Sequence, residues 1–371
     1  MGYVLIIILM VILVFSALSG RMQRISSLLA ACYMAWIAGT LPTNYSFDTA
    51  TYQVYYPFPP DTHIFEQGYM HLSYFFYTHG MDYLGFRLII FFIAYLIFYL
   101  VILRVTEKPS AFFLLYGIVI FLNDATQVRN FLMFVMVLLA YAIMNTMTMT
   151  RFVIGISLLL IATSFQTTGI LYIFGILFFI LKDSMKTKKR LNNIYFTSIF
   201  ISTLIVVASS KFSVLSTILI KISSISNRAN IDQATSVYSN GSFSRYTLAY
   251  VLSYLIAFLL IQWLRNRYGK QLENEKYQGL FYVVMLIGLI GMPFTLMSSG
   301  FERILRNSLI AFILLMNSIH VNDIKVTDRY IYFLGYSAVC LLCMYGAGLF
   351  NMNDPLYMGY YVKYVLHFVR I

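Results

Sequence analysis

Apolar residues run along this chain in long, nearly unbroken stretches, divided by short polar breaks. The stretches are long enough to cross a ~30 Å hydrocarbon core as helices. Strands facing lipid would alternate apolar with polar residues, and these runs do not, so helices rather than a barrel satisfy the backbone. Spans are expected near residues 2–19, 25–41, 86–103, 110–122, 130–148, 152–164, 169–181, 194–210, 246–264, 278–298, 304–319 and 330–350. The fourth, sixth and seventh are short, and would tilt little or dip only part of the way. The expected fold class is all-α: a polytopic membrane protein of about 12 transmembrane helices. Residues 1–371 form one transmembrane domain, with two long extracytoplasmic loops, 42–85 and 211–245, carrying short amphipathic helices.

Composition agrees with the pattern. Of 371 residues, 60% are hydrophobic and 11% charged, against roughly 25% charged in a soluble domain. The formal net charge is +12. In a soluble chain that would raise nucleic acid as a partner. Here it reads as a cytoplasmic excess of cations plus attraction to anionic lipids, and no basic-aromatic nucleic-acid module is present.

Charge also orients the chain. No Lys or Arg precedes the run Tyr3 to Leu18, and Arg21 and Arg24 follow it, so it reads as a retained first span with its start outside, not a cleaved signal. Gly2 is not followed by Ser or Thr at residue 6, so myristoylation is not indicated. Sorting the loops by side puts 16 of the 26 cations on one face, including the anchor Lys182-Asp-Ser-Met-Lys-Thr-Lys-Lys-Arg190. That face is the cytoplasmic one, in a bacterial inner or plasma membrane. The inner loops are short, no G-x-x-x-x-G-K-[ST] phosphate loop appears, and no internal repeat is visible, so chemistry is expected on the outer face. The stretch from Asn351 is expected at the outer interface rather than as a further span.

Three groups of residues on that face carry candidate chemistry. The first outer loop is rich in acids and aromatics: Asp48, Tyr52, Tyr56, Glu66 and Tyr69, with Pro57-Phe58-Pro59-Pro60 ending any helix between them. Asp48 and Tyr52 share a face if the piece is helical. Tyrosines suit stacking on sugar rings, and equally an interfacial belt. An outer carboxylate among aromatics, Asp48 or Glu66, is a candidate general base. The second group is cationic: Arg129 within Gln127-Val-Arg129-Asn130, Arg245 at a span start, and Arg303 and Arg306 at i and i+3. Arginine's planar fork suits bidentate phosphate binding, so these three segments would make a diphosphate clamp. Snorkelling, or pairing with Asp124 or Glu302, is the plain alternative. The third group is the polar break Thr163-Ser164-Phe165-Gln166-Thr167-Thr168-Gly169, either a hairpin turn or the lining of a cavity.

Other chemistries find little purchase. His63, His71 and His79 are eight apart, which is not the i, i+4 spacing of a helical zinc site, and no metal or other cofactor is expected. Cys32, Cys340 and Cys343 lie inside apolar runs and read as packing residues. No G-x-S-x-G nucleophile elbow occurs.

At these residues the chain resembles the EpsG family of bacterial exopolysaccharide proteins, which are Wzy-type polysaccharide polymerases. The matching pieces are Asp48 with Tyr52, Glu66-Gln67-Gly68-Tyr69, Gln127-Val-Arg129-Asn130, Ser164-Phe165-Gln166 and the Arg303 to Arg306 segment, in order over most of the chain. It departs from the family pattern at Asn130, where Gln is frequent, at Gln166, where His is frequent, and at Gln67, where Pro is frequent. Asn130 preserves an amide; Gln166 cannot act as a proton carrier, which puts an acid or base at that point in doubt. The resemblance implies a polymerase that joins undecaprenyl-diphosphate-linked oligosaccharide units on the outer face, in capsule or exopolysaccharide synthesis. Asp48, Glu66 and Arg129 would be catalytic. Tyr52, Tyr56, Tyr69, Gln127, Asn130, Gln166, Arg245, Arg303 and Arg306 would bind substrate. A chain-length regulator and a flippase of the same pathway are the partners it implies, besides membrane lipids. Two other classes share these features: a transporter or flippase of lipid-linked saccharide, and another membrane glycan ligase or acyltransferase.

Overall fold

The computed structural model describes residues 2–43, 46–146, 148–180, 197, 244–272, 278–296, 299–319 and 324–351. The predicted span 194–210, nearly all of the predicted loop 211–245, and the stretch after Asn351 lie outside these residues, residue 197 and residues 244–245 apart.

The described residues are helical throughout, with no strand among them. A helical hairpin opens the chain, α1 (Gly2–Ser19) and α2 (Gln23–Thr40). It turns on Gly20 at φ 70°, left-handed backbone that glycine takes without strain. Two short helices follow, α3 (Phe47–Val54) and α4 (Gln67–Thr78). Ser46 starts α3 with a capping box, its hydroxyl accepting from the Thr49 amide while Thr49 returns the bond. Pro57, Pro59 and Pro60 then keep the chain out of helix until a 3₁₀ turn at Pro60–Thr62.

The long helices come next: α5 (Tyr83–Val105), capped by Asp82, then α6 (Pro109–Val119), a short α7 (Phe121–Thr126), α8 (Val128–Met144), α9 (Met149–Phe165) and α10 (Ile170–Ile180). The carboxyl-terminal group is α11 (Arg245–Leu272), α12 (Gln278–Gly291), α13 (Glu302–Ser318) and α14 (Val326–Gly346). Eleven of the expected stretches thus fall on helices. Tyr83–Val105 and Arg245–Tyr268 are long and apolar enough to cross a membrane by themselves; the other apolar helices among the described residues are shorter. One boundary moves. The stretch expected to run from 110 to 122 stops at Val119, and Asn123, Asp124 and Thr126 fold into the separate turn of α7. Three buried polar side chains in succession need partners on different sides, and a straight helix would not bring them all within reach.

Helices α2, α5, α6 and α8 surround an aromatic core in which Phe98 meets the rings of Phe112, Phe113, Tyr116 and Phe131. Helix α13 packs on α11 and α12 and reaches across to α6, and α10 leans on α12. At one end of the bundle the hydroxyls of Ser16, Ser26 and Ser110 meet at 2.7–2.9 Å, tying α1, α2 and α6 together where apolar packing alone fixes no register. Outward faces are apolar: Ile93, Leu96 and Leu100 on α5, Ile331, Leu334 and Leu341 on α14. Such stripes suit contact with acyl chains.

Candidate functional site

At the other end, α2 stops, α5, α8 and α13 start, and the α9–α10 turn closes. Helices α3 and α4 sit over this end, and their seating rests on Gly68. A Cβ there would lie 2.1 Å from Ser164 Oγ and 2.8 Å from both the Ser164 Cβ and its carbonyl oxygen. Only glycine lets α4 approach α9 so closely.

That approach delivers Glu66, at the N-cap position of α4, into the bundle. Its carboxylate is buried. One oxygen accepts from the guanidinium of Arg129 in the first turn of α8. The other accepts from the Thr167 amide at 3.0 Å and its hydroxyl at 2.8 Å. Glu66 therefore staples three elements: α4, α8 and the 3₁₀ turn Thr167–Gly169. With both oxygens engaged it is a poor proton acceptor and a good holder of Arg129.

Three rings enclose the guanidinium. The Arg129 Cζ lies 4.3 Å from the centroid of Phe65, 5.2 Å from Tyr52 and 6.0 Å from Tyr69. The rings touch one another with centroids 5.4–5.9 Å apart, mostly edge to face. A desolvated cation against ring faces gains more than an exposed one. Burial raises the Tyr52 phenol above its ordinary pKa, and the charges of Arg129, Asp48 and Arg303 all reach it. Asp48, in the first turn of α3, is half-exposed, so its carboxylate meets solvent beside this box. Several polar atoms here are buried without a hydrogen-bond partner among the described residues: Tyr69 Oη, Arg129 Nε, Gln166 Oε1, Thr168 Oγ1 and Arg303 Nε.

A second cluster lies beside the first. Arg306, buried in the second turn of α13, has its Nε 3.5 Å from Asp124 of α7 and donates to Gln127 Oε1 at 2.5 Å. Tyr116 donates to the other Asp124 oxygen at 3.0 Å and meets the Tyr95 hydroxyl at 3.1 Å. Asn130 and Asn307 exchange amide bonds at 3.2 and 3.3 Å, joining α8 to α13. Arg87, buried in the first turns of α5, donates to Leu41 O at 3.0 Å and Ala125 O at 2.6 Å. It thereby satisfies the carbonyl at the end of α2 and one in α7.

The structure thus brings together Asp48, Tyr52, Glu66, Tyr69 and Arg129, with Gln166 buried in the adjoining turn. Gln127, Asn130 and Arg306 join the second cluster, and the charge of Arg303, one turn before Arg306, reaches Tyr52 of the first. Tyr56 is elsewhere: it packs on Tyr77, Tyr83 and Phe86 and donates to Met81 O at 3.0 Å, with its phenol pushed up to about 12 by burial and then by Asp82. It braces the loop. Arg245 is exposed at the start of α11, and its described contacts are with Tyr246, onto whose hydroxyl it donates at 3.1 Å. The polar break 163–169 is a turn, as the simpler expectation had it, yet Thr167 makes it part of the site. Sequence reasoning passed over Arg87 and Asn307 and gave Phe65 no role. A lone cation opening an apolar run was the one available signal for Arg87. Asn307 had none beyond standing next to Arg306.

Comparison with known proteins places these residues in context. The family model described as the EpsG family matches residues 25–365. No curated protein and no solved structure matches the chain.

Proposed function

Because the chain belongs to the EpsG family, a family of membrane proteins in polysaccharide biosynthesis, we propose that it is a Wzy-type polymerase. It joins oligosaccharide repeat units carried on undecaprenyl diphosphate, at the outer face of the bacterial cytoplasmic membrane. About a dozen spans with the amino terminus outside would set α3, α4 and the Glu66–Arg129 end on that face. A hydroxyl of the acceptor saccharide attacks the anomeric carbon of the donor, the bond to the lipid diphosphate breaks, and the diphosphate leaves with the electron pair.

The observation that supports this most is the guanidinium of Arg129, held by Glu66 inside the Tyr52, Phe65 and Tyr69 box, with Asp48 and Arg303 in electrostatic reach. The leaving diphosphate gathers charge, and fixed cations in a water-poor site stabilise developing charge better than water does. Asp48, half-exposed, is the carboxylate with room to take the acceptor's proton. Glu66 is the positioning carboxylate. Tyr52 and Tyr69 offer rings and hydroxyls to sugars.

The test is gel analysis of surface glycan in a deletion strain complemented with wild type or Arg303→Gln, with membrane insertion checked by a tag. The deletion should leave single repeat units exported but unjoined, and wild type alone should restore the ladder. Repeat units that never reach the outer face would instead make this a transporter of lipid-linked saccharide.

A further inference from the structure

The four expected site arginines do not share one environment, and the difference assigns them different work. Arg306 is buried, lies against Asp124 and donates to Gln127. Its guanidinium is enclosed by protein on both of these sides. Arg303, one turn earlier on α13, is half-buried; its Nε, like that of Arg306, has no hydrogen-bond partner among the described residues, but it makes neither the ion pair nor the donated bond that hold Arg306 there. Its charge reaches Tyr52 in the aromatic box. We infer that Arg306 and Asp124 form a positioning pair that sets the amino-terminal turn of α13, and that Arg303 is the residue of α13 that touches the diphosphate. This rests on the polymerase reading above.

The surroundings of the pair support the division. Asp124 reaches Arg306 because α7 breaks away from both α6 and α8, at Ile120 and Gln127. That break is held from behind, since Arg87 grips Ala125 O and Asn123 donates to the Tyr250 hydroxyl at 3.0 Å. Tyr116, whose hydroxyl is also bonded to that of Tyr95, donates to the far oxygen of Asp124. The Asn130–Asn307 exchange then locks the next position of α13 to α8, directly after Arg129. Asp124 Oδ2, Gln127 Oε1 and the Asn130 and Asn307 amides are taken by protein partners, while Asp124 Oδ1 and Arg306 Nε face each other only as an ion pair at 3.5 Å. The turn that carries Arg303 is fixed by the cluster, and Glu302 beside it is tied to Thr247 of α11.

The distinction can be read by exchanging charges. A buried pair stripped of one member leaves the other charge uncompensated, whereas replacing both removes the conflict. In the deletion strain, polymer per inserted protein would be measured for D124N, R306Q, the double variant D124N/R306Q and R303Q, beside wild type. The positioning reading expects each single variant of the pair to lose about tenfold or more, as a small misplacement of a reacting group does. The double variant, whose amides still bond each other, should recover most of that loss. R303Q should insert normally and lose at least about a hundredfold, the scale of removing one donor to a developing charge. A double variant that inserts at wild-type level and stays as inactive as R306Q would mean that Arg306 itself grips substrate, and would overturn the inference. So would wild-type ladders from R303Q. D124L/R306M asks the same question without polar groups should the amide pair fail to insert. Failure of the wild-type protein to restore any ladder would strike the polymerase reading and not the division of labour within it.

Discussion

Replacing Gly68 with alanine tests the seating of α4 by one methyl group. The added carbon would lie 2.8 Å from the Ser164 carbonyl oxygen, where an ordinary contact begins at 3.4 Å, so the two helices must part by the difference, 3.4 − 2.8 = 0.6 Å. The Ser164 hydroxyl, bonded to Ile161 O at 2.7 Å, can swing aside; the carbonyl and Cβ belong to the frame of α9 and cannot. Overpacking of this kind costs about 1–3 kcal/mol, and a bundle of this size should still insert. The larger effect is on geometry. Glu66 stands two residues before Gly68, and its bonds to Thr167 at 2.8 and 3.0 Å would stretch toward the limit of a hydrogen bond. A displacement near 1 Å costs about a hundredfold in a positioned reaction, so G68A should lose about tenfold in polymer per inserted molecule. Surface glycan in the deletion strain, normalised to tagged protein, measures this directly. Adding Ser164→Gly removes two of the three contacts but leaves the carbonyl oxygen that sets the separation, so the double variant should stay close to G68A. Gly80 serves as the control, since an added carbon there meets open space and costs only the strain of its φ of 79°. If G68A polymerised like wild type while G80A did not, the close approach of α4 to α9 would not be what positions the site.

Other outcomes follow from the same geometry. Arg129→Lys keeps the charge but loses the planar fork between Glu66 and the rings, and should retain insertion with at least about tenfold less polymer; an unchanged ladder would reduce Arg129 to a point charge. Asp48→Asn should leave protein levels unchanged, because the side chain is half-exposed, and lower polymerisation by about 10²–10⁴-fold as loss of a general base does. Normal polymer from that variant would remove Asp48 from the chemistry. Asn130→Ala removes the Asn130 partner of both the Oδ1 and the Nδ2 of Asn307, which should cost about 1–3 kcal/mol and lower the thermal aggregation temperature of detergent-solubilised protein; no shift would mean that the amide exchange bears little of the α8–α13 contact.

Much of this architecture was legible in the order of the residues. Helices follow from apolar runs in a medium that gives the backbone no other partner, and eleven of the expected stretches coincide with helices for that reason. The candidate site was legible as residue types: acids, tyrosines and arginines at run ends. Their pairing was not. Glu66 and Arg129 are 63 positions apart, and nothing local in either segment names the other. Asp124 looked like a plain partner for an arginine, and it does meet Arg306; that it does so from a separate helical turn depends on Tyr116, Arg87 and Tyr250 acting from three other helices. Tyr56 and Tyr69 read alike in sequence and differ in the structure because α3 and α4 turn one toward Met81 and the other toward Arg129. Side-chain chemistry was visible one residue at a time, and tertiary contact decided its use.

The Asn130–Asn307 exchange has a property that an ion pair lacks. Each amide gives one bond and takes one, so the match exists in a single register and vanishes in both directions when either helix slides by a turn. A charged pair tolerates sliding, because attraction falls off slowly with distance; this pair works like a key in a lock. Between α8 and α13 the exchange is therefore a point of register and not part of a broad packed face. On the proposed reading, a substrate arriving from the bilayer would have to leave this register undisturbed, because sliding either helix loses both bonds at once.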